Sequence, residues 1–539
     1  MPPFNVILLL VLHGLLWMWL SIRFIHLLQL ESYQNRMYIR ALFRNRRTAL
    51  WPLVLATGTA VVGVLLIWML PMDQFAAALA SPLWTLLVGA GCALWLLRRK
   101  QKKPLVYTAR VKRLMACVGI VCGALAGLVW TLSGGLEPVL TAETILAGGI
   151  LFVPLFVLLG AFIAYPLEAV LKRKFFNQAR RKLAANDRLI RIGITGSYGK
   201  TSTKFILGTI LSQRYKTLIT PHSYNTPMGV SRVIRESDLD AYEVFVCEMG
   251  ARYRGDIREL CDLVHPQYGL ITSVGKQHLE TFRSMEGVIQ TKYELIEALP
   301  EDGYAFFPAD NEICLELYDK TQKPKALFGF EGQGRNLDMA VDDFQTGPEG
   351  SEFVLIDRAG ERAACRTRLL GRHNIQNILA AACVAKKLGL TLDEIAQGIA
   401  AIEPVEHRLQ LIHGTNGVNI IDDAFNANPD GAQAALDVLS SFDGGKKIIV
   451  TPGLVELGRE EDELNRAFGR GVAQAVDVAI LVGGARTVPL QHGLREAGFV
   501  EAQIHIVANL EEATSVIGRI ARAGDVVLFE NDLPDNYDG

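Results

Sequence analysis

The sequence has no disulfide framework. Its eight cysteines (Cys92, Cys117, Cys122, Cys247, Cys261, Cys314, Cys365 and Cys383) are scattered, mostly between apolar neighbours, and none forms a C-x-x-C pair. That pattern points to a reducing compartment and argues against a cysteine-based zinc site. The first third also lacks acid. Residues 1–188 carry 6 Asp and Glu against 21 Lys and Arg, a balance near +15, whereas the remainder carries 50 against 34, near −16. The overall charge of −1 conceals two chemically different halves. No acidic residue falls inside the long apolar stretches as read from the sequence. A proton or ion path usually needs ionisable groups inside the bilayer, so a transporter is not expected. No basic residue precedes the first apolar stretch, which is therefore not read as a cleaved signal peptide. No nucleic-acid partner is expected.

What is present begins with apolar length. The chain is 50% hydrophobic over 539 residues, enough for three or four units. Five stretches reach the roughly 20 residues that cross a bilayer: Phe4–Ile22, Trp51–Leu70, Ala78–Leu97, Leu114–Leu132 and Thr144–Pro166. The intervening loops alternate in charge. The first holds Arg23, Arg36, Arg40, Arg44, Arg46 and Arg47, and the third holds Arg98, Arg99, Lys100, Lys102, Lys103, Arg110, Lys112 and Arg113. The second holds only Asp73, and the fourth Glu137 and Glu143. Positive loops stay in the cytoplasm, which places the N-terminus outside and the C-terminal part inside. Gly119, Gly123 and Gly127 form a double G-x-x-x-G that packs either within the bundle, the favoured reading, or as an oligomer face. His13, alone in the first span, is expected to hydrogen-bond a neighbour. Leu171–Asp187 is a basic amphipathic segment suited to anionic membrane lipids.

The chemistry centres on Ile192–Thr203, I-G-I-T-G-S-Y-G-K-T-S-T. An apolar run, Leu189–Ile194, reads as a buried strand. It breaks into a glycine turn, and Lys200 with two hydroxyl residues opens a helical run, Phe205–Ser212. Strand, glycine turn and helix present backbone N–H groups and a helix N-terminus to a phosphate. Gly196 and Gly199 permit close approach, Lys200 can reach the β/γ-phosphates, and the Thr201 hydroxyl can sit on Mg²⁺. Ile194 stands where the general phosphate loop has its first glycine, so a turn that merely joins strand to helix stays open. Further strand signals at Lys216–Thr220, Val244–Glu248, Gly269–Val274 and Tyr304–Phe307 alternate with helices such as Val288–Leu299. That predicts a doubly wound α/β domain with ligands at the strands' carboxyl ends. Glu248, at such an end behind V-F-V-C, suits Mg²⁺. Alone, His278 reads as readily as a structural hydrogen-bonder and Lys292 as a solvated helix lysine.

The ordered set T-G-S-Y-G-K-T, C-E-M-G-A-R, H-L-E-T-F-R-S-M-E-G-V-I-Q-T-K-Y-E, G-R-H-N-I-Q-N-I-L-A-A and D-D-A-F-N-A-N-P resembles the Mur ligase family over roughly Arg188–Val527. The resemblance implies ATP-dependent phosphorylation of a substrate carboxylate, then attack by an amine. It implies nucleotide contacts from Gly196, Ser197, Gly199, Lys200, Thr201 and Ser202. Asn374 and Asn377, beside His373, fall in the G-x-H-N-x-x-N motif, of which Asn374 is similar to the adenine-reading residue. Arg408 would approach the γ-phosphate and Asp423 the ribose. Thr201 and Glu248 would hold one Mg²⁺, and His278 with a carbamylated Lys292 a second. The loop Tyr224–Gly229 would lie near the reacting carboxylate. Later strand signals (Val418–Ile421, Lys447–Val450, Val478–Val482, Ile504–Val507, Val526–Phe529) imply a dinucleotide-fold-like closing domain. Thr451–Gly458 is placed near the amine, and Glu456 is either a loop-closing or a functional carboxylate.

The expected order is a helical membrane domain of about five spans (1–170), a basic linker (171–188), a P-loop central α/β domain (189–403) and a Rossmann-like C-terminal domain (404–539). Departures from the family are Pro308 in P-A-D-N, Ala424 in place of serine, the tail F-E-N-D-L-P-D-N-Y-D-G in place of a basic one, and membrane spans in place of the soluble UDP-sugar domain. The expectation is a ligase of cell-envelope synthesis at a bacterial inner membrane, using ATP and Mg²⁺. It would join an amino acid or dipeptide to a lipid-linked or membrane-proximal carboxylate. The alternative is a membrane-anchored ATP-binding regulator without ligation.

Overall fold

The computed structural model describes residues 3–98, 104–132, 138–222, 224–275, 282, 284–332, 335–347, 350–405, 407–414, 416–424, 428–455, 457 and 460–531. The sequence readings at Arg99, Lys100, Lys102, Lys103, Glu137, His278, Glu456 and the last eight residues lie outside that set. The chain divides into two compact units, Met1–Arg173 and Lys174–Leu533, and all eight cysteines are free thiols.

Among the described residues of the first unit, five helices are long and apolar enough to cross a membrane: Leu8–Leu30, Arg46–Met69, Gln74–Arg98, Ala109–Val129 and Leu140–Ala184. Helices suit such sequences because every backbone group is satisfied within the segment. Trp17, Leu20, Phe24 and Leu28 of the first helix join a buried core with Tyr38, Val118, Ile150 and Val153. Large apolar side chains such as Leu55, Leu83, Leu87, Phe162 and Val170 point outward instead.

Three expectations change here. The first helix continues to Leu30 and takes Arg23 and His26 into its buried face rather than leaving them in a loop. The fifth is one 47-residue helix, Pro138–Ala184, that runs on through the basic segment. Because Pro138 starts that helix, Glu143 belongs to it and not to a loop. The premise that no span carries acid therefore fails. Glu143 is fully buried, and its Oε2 lies 3.5 Å from His13 Nε2, while His13 Nδ1 lies 2.9 Å from the Leu9 carbonyl oxygen. Third, the glycine face is only partly covered: a Cβ on Gly119, Gly123 or Gly127 would meet nothing within 4 Å, although a Cβ on Gly14 of the first helix would stand 3.9 Å from the Gly123 backbone. The first loop also holds an amphipathic helix, Asn35–Arg44, with Tyr38, Ala41 and Leu42 inward.

The second unit contains two sheets. The nine-stranded one comprises β1 (Ile190–Thr195), β2 (Thr217–Ile219), β3 (Val244–Glu248), β4 (Tyr268–Ile271), β5 (Tyr304–Pro308), β6 (Lys325–Phe330), β7 (Met339–Gly347), β8 (Gly350–Asp357) and β9 (Arg362–Thr367). Its order is β2-β3-β1-β4-β5-β6-β7-β8-β9. It is parallel through β7 and antiparallel at β8 and β9. The six-stranded sheet comprises β10 (Gln410–His413), β11 (Asn419–Asp423), β12 (Lys447–Thr451), β13 (Val478–Val482), β14 (Ile504–Val507) and β15 (Val526–Glu530), ordered β10-β11-β15-β12-β13-β14. Register pairs Ile194 with Glu248 and Asp423 with Glu530, which puts those functional positions at carboxyl ends. The helix after the glycine turn starts at Lys200, earlier than the apolar run indicated, because Gly199 takes the left-handed conformation that lets the first turn form there.

Candidate active site

The glycine turn is shaped by what crosses it. Gly196 has φ +154, and a Cβ there would stand 2.1 Å from Thr272 Oγ1. Gly199 has φ +77, and a Cβ would stand 2.3 Å from Asn377 Oδ1. Glycine is required at both positions by neighbours as well as by backbone conformation. Lys200 folds back over the loop, its Nζ donating to the carbonyls of Gly196 at 2.6 Å and Ser197 at 2.9 Å. Burial pushes its amine down to about 8, against the opposing pull of Glu248, with Arg408 pushing the same way as burial. A phosphate arriving here would replace backbone carbonyls as the lysine's partner and restore its charge. Ser197 is itself tied down, its Oγ donating to the Gly275 carbonyl at 3.0 Å.

Glu248 is the meeting point. Its Oε1 accepts from Thr201 Oγ1 at 3.0 Å and from Asn225 Nδ2 at 2.9 Å, and its Oε2 lies 3.1 Å from Lys204 Nζ. Sequence reading missed Lys204. The available signal was a lysine inside a helix whose neighbours, Ile206, Leu207 and Ile210, form core. Lys292 is 1% exposed on the helix Met285–Glu297. Burial first, and Lys200 second, hold its amine well below the usual lysine range. A neutral buried amine is the form that can add CO₂.

The G-x-H-N-x-x-N motif divides in two. Asn377 braces the phosphate loop, accepting from Thr203 Oγ1 at 3.1 Å and packing under Gly199. Asn374 donates to the Leu370 carbonyl at 2.9 Å and lines a narrow cavity with Ser202, Phe205, Ile402, Val405 and Arg408. His373 has a buried Nδ1 without a hydrogen-bond partner, and burial pushes its ring down to about 4. Arg408 feels both Asp423 and Glu248. Asp423 accepts from the Leu409 backbone N–H at 3.2 Å, and burial raises its carboxyl to about 6. Beside it Glu530 is fully buried, and burial first, then the charge and hydrogen bond of Asp423, raise it well above the normal carboxylate range.

Among the described residues no three His, Cys, Asp or Glu side chains group as a metal site. Thr201 and Glu248 alone fit Mg²⁺ only with phosphate oxygens completing its shell, which is how that ion is usually held.

Comparisons with known proteins agree with this geometry. Residues 194–385 match the Mur ligase middle domain, and residues 407–530 match the Mur ligase, glutamate ligase domain. The UDP-N-acetylmuramoyl-tripeptide–D-alanyl-D-alanine ligase of Mycobacterium leprae is 31% identical over 373 residues, covering 63% of this chain and 70% of that protein. The chain belongs to the Mur ligase family. Members are ATP-dependent ligases that form amide bonds. The enzyme of the same name from Bacillus subtilis is 28% identical over 341 residues, 63% of this chain and 72% of that protein. The structure of the MurF ligase of Thermotoga maritima in complex with ADP is similar with a TM-score of 0.60 at 26% identity, covering 67% of this chain and 80% of that one. Both family matches lie between residues 194 and 530, so the five-helix unit precedes the ligase domains.

Proposed function

We propose that this Mur ligase is a membrane-bound, ATP-dependent carboxylate–amine ligase of peptidoglycan synthesis. It adds D-alanyl-D-alanine, a similar dipeptide or an amino acid to a cell-wall precursor carboxylate near the membrane. The observation that carries the reading is the contact between Thr201 and Glu248 beside Lys200, with Lys292 buried close enough to feel that lysine's charge.

The γ-phosphoryl group passes to a carboxylate oxygen of the acceptor, and ADP leaves. The amine nitrogen then attacks the acyl carbon, phosphate leaves, and the amine gives up a proton. Lys200 and Arg408 supply positive charge where the phosphoryl group transfers. Asn374 and its cavity orient the base, and Asp423 the ribose. Mg²⁺, held through Thr201 and Glu248, would neutralise phosphate charge. Lys292, once carbamylated, together with His278 would present a second anionic and neutral donor pair. The outward apolar side chains of the five helices support burial in lipid. The basic loops support an outside N-terminus and cytoplasmic catalysis at the bacterial inner membrane.

The test is coupled product formation. ADP and an amide should appear together, and Lys292→Ala should lose activity that small carboxylic acids restore in part. ADP release without acceptor-dependent amide, across a broad panel of amino acids and dipeptides, contradicts the proposal and favours the regulatory reading.

A further inference from the structure

We infer that Lys204 is a positioning residue: it locks the Glu248 carboxylate for Mg²⁺–nucleotide and fastens it to the loop that carries Asn225. The inference rests on the ligase reading above. A fully buried lysine is costly unless its charge is paired and its protons find acceptors. Lys204 is 0% exposed on a helix whose inward neighbours are aliphatic, so a leucine or methionine would fill the space more cheaply. Its Nζ meets two acceptors, Glu248 Oε2 at 3.1 Å and the His222 carbonyl, and lies 4.4 Å from the Phe205 ring centroid.

The two acceptors belong to different pieces of chain. Glu248 ends β3. His222 belongs to the loop after β2 and adopts φ +44, an uncommon conformation for a residue with a side chain. The same loop reaches Glu248 a second time through Asn225, whose Nδ2 donates to Oε1 and whose own carbonyl accepts from Gly250 N–H at 2.9 Å. A Cβ on Gly250 would stand 2.7 Å from the Asn225 side chain, so the loop is pressed onto the end of β3.

The consequence is a division of labour between two oxygens. Oε1 faces Thr201, where a phosphate-bound ion would sit, and Oε2 is held by Lys204. Held at Oε2 by Lys204 and braced at Oε1 by Asn225, the carboxylate keeps Oε1 turned toward Thr201 in a fixed direction, as suits an ion that demands near-ideal octahedral geometry. The loop and the metal carboxylate then move as one body, so displacement of the loop disturbs nucleotide-bound Mg²⁺.

The experiment is a binding titration on the full-length protein in detergent, with a non-hydrolysable β,γ-imido ATP analogue, in EDTA and in Mg²⁺. In the parent protein Mg²⁺ should tighten binding. Lys204→Met should leave affinity in EDTA unchanged and cut the Mg²⁺ gain by about 10–100-fold, the usual effect of losing a group that orients a metal ligand. Glu248→Gln should abolish the gain, and Lys204→Met should add nothing to it. Lys204→Gln, which keeps a donor without the charge, provides the same readout if the methionine variant fails to fold. An unchanged Mg²⁺ gain in Lys204→Met, or equal losses in EDTA and Mg²⁺, overturns the inference while leaving the ligase reading intact. A parent protein with no Mg²⁺-dependent binding overturns both.

Discussion

The two units of this chain bury ionisable side chains for opposite ends. In the helical unit, His13 and Glu143 sit fully buried 3.5 Å apart, with little else polar between them and the apolar core. In the ligase unit, Lys200, Lys204, Glu248, Lys292, Arg408 and Asp423 crowd around the glycine turn. The first is a closed contact between two buried side chains. The second is an open account with an excess of cations, because Lys200 rests on backbone carbonyls and Lys292 is held toward neutrality. Such an arrangement is unfavourable when empty and becomes favourable when polyphosphate arrives. Surface chemistry divides the same way. Most of the large exposed apolar side chains among the described residues belong to the helical unit, where lipid would cover them.

Variants can break that contrast. The largest effect is expected from Lys200→Ala. Removing the charge at the transferring phosphoryl group should cost about 100-fold or more in turnover, measured as amide formation, while the protein stays in the membrane fraction. His13→Leu should have the reverse pattern. Leaving Glu143 buried without its polar neighbour should destabilise the helical unit by about 1–3 kcal/mol, read as thermal unfolding in detergent, with nucleotide binding retained. The double variant His13→Leu with Glu143→Leu should recover much of that loss, which distinguishes a buried pair from two independent contacts.

The smallest effect concerns pH. Asp423 and Glu530 are buried carboxyls raised above their unfolded values, so the folded state keeps protons that the unfolded state has released. Their contribution is therefore present at low pH and falls as pH rises from about 4, through about 6 for Asp423 and further for Glu530. Glu530→Gln should flatten that decline and raise the melting temperature of the nucleotide-free protein at pH 8 by about 2 °C or more. A variant that melts lower at pH 8 than the parent contradicts the assignment.

Much of the cluster around the glycine turn was legible because its signals are local. A strand, two glycines and Lys-Thr encode an anion cradle within a dozen residues, and Glu248 announces itself by following four buried apolar positions. Lys204 was not legible. Its burial depends on Glu248, 44 residues away, and on a carbonyl from another loop. Asn377 carried a nucleotide-binding motif, yet its place under Gly199 depends on packing between two helices distant in sequence. Strands β8 and β9 escaped because charged residues interrupt them. In Arg362–Thr367 the exposed and buried positions alternate strictly, but R-A-A-C-R-T has too little apolar contrast to advertise it. Glu143 misled for a different reason. Beside Pro138 and two threonines it looks like loop, and only the partner His13, 130 residues earlier, explains why a helix can keep it.

The most direct test of the account uses membranes that hold the full-length protein, supplied with ATP, Mg²⁺, an envelope lipid extract and an amine library, and analysed by mass spectrometry. The account predicts a condensation product whose mass equals acceptor plus amine minus water, formed in step with ADP and absent in Lys200→Ala. ADP formed without any such product, in the parent protein, contradicts it.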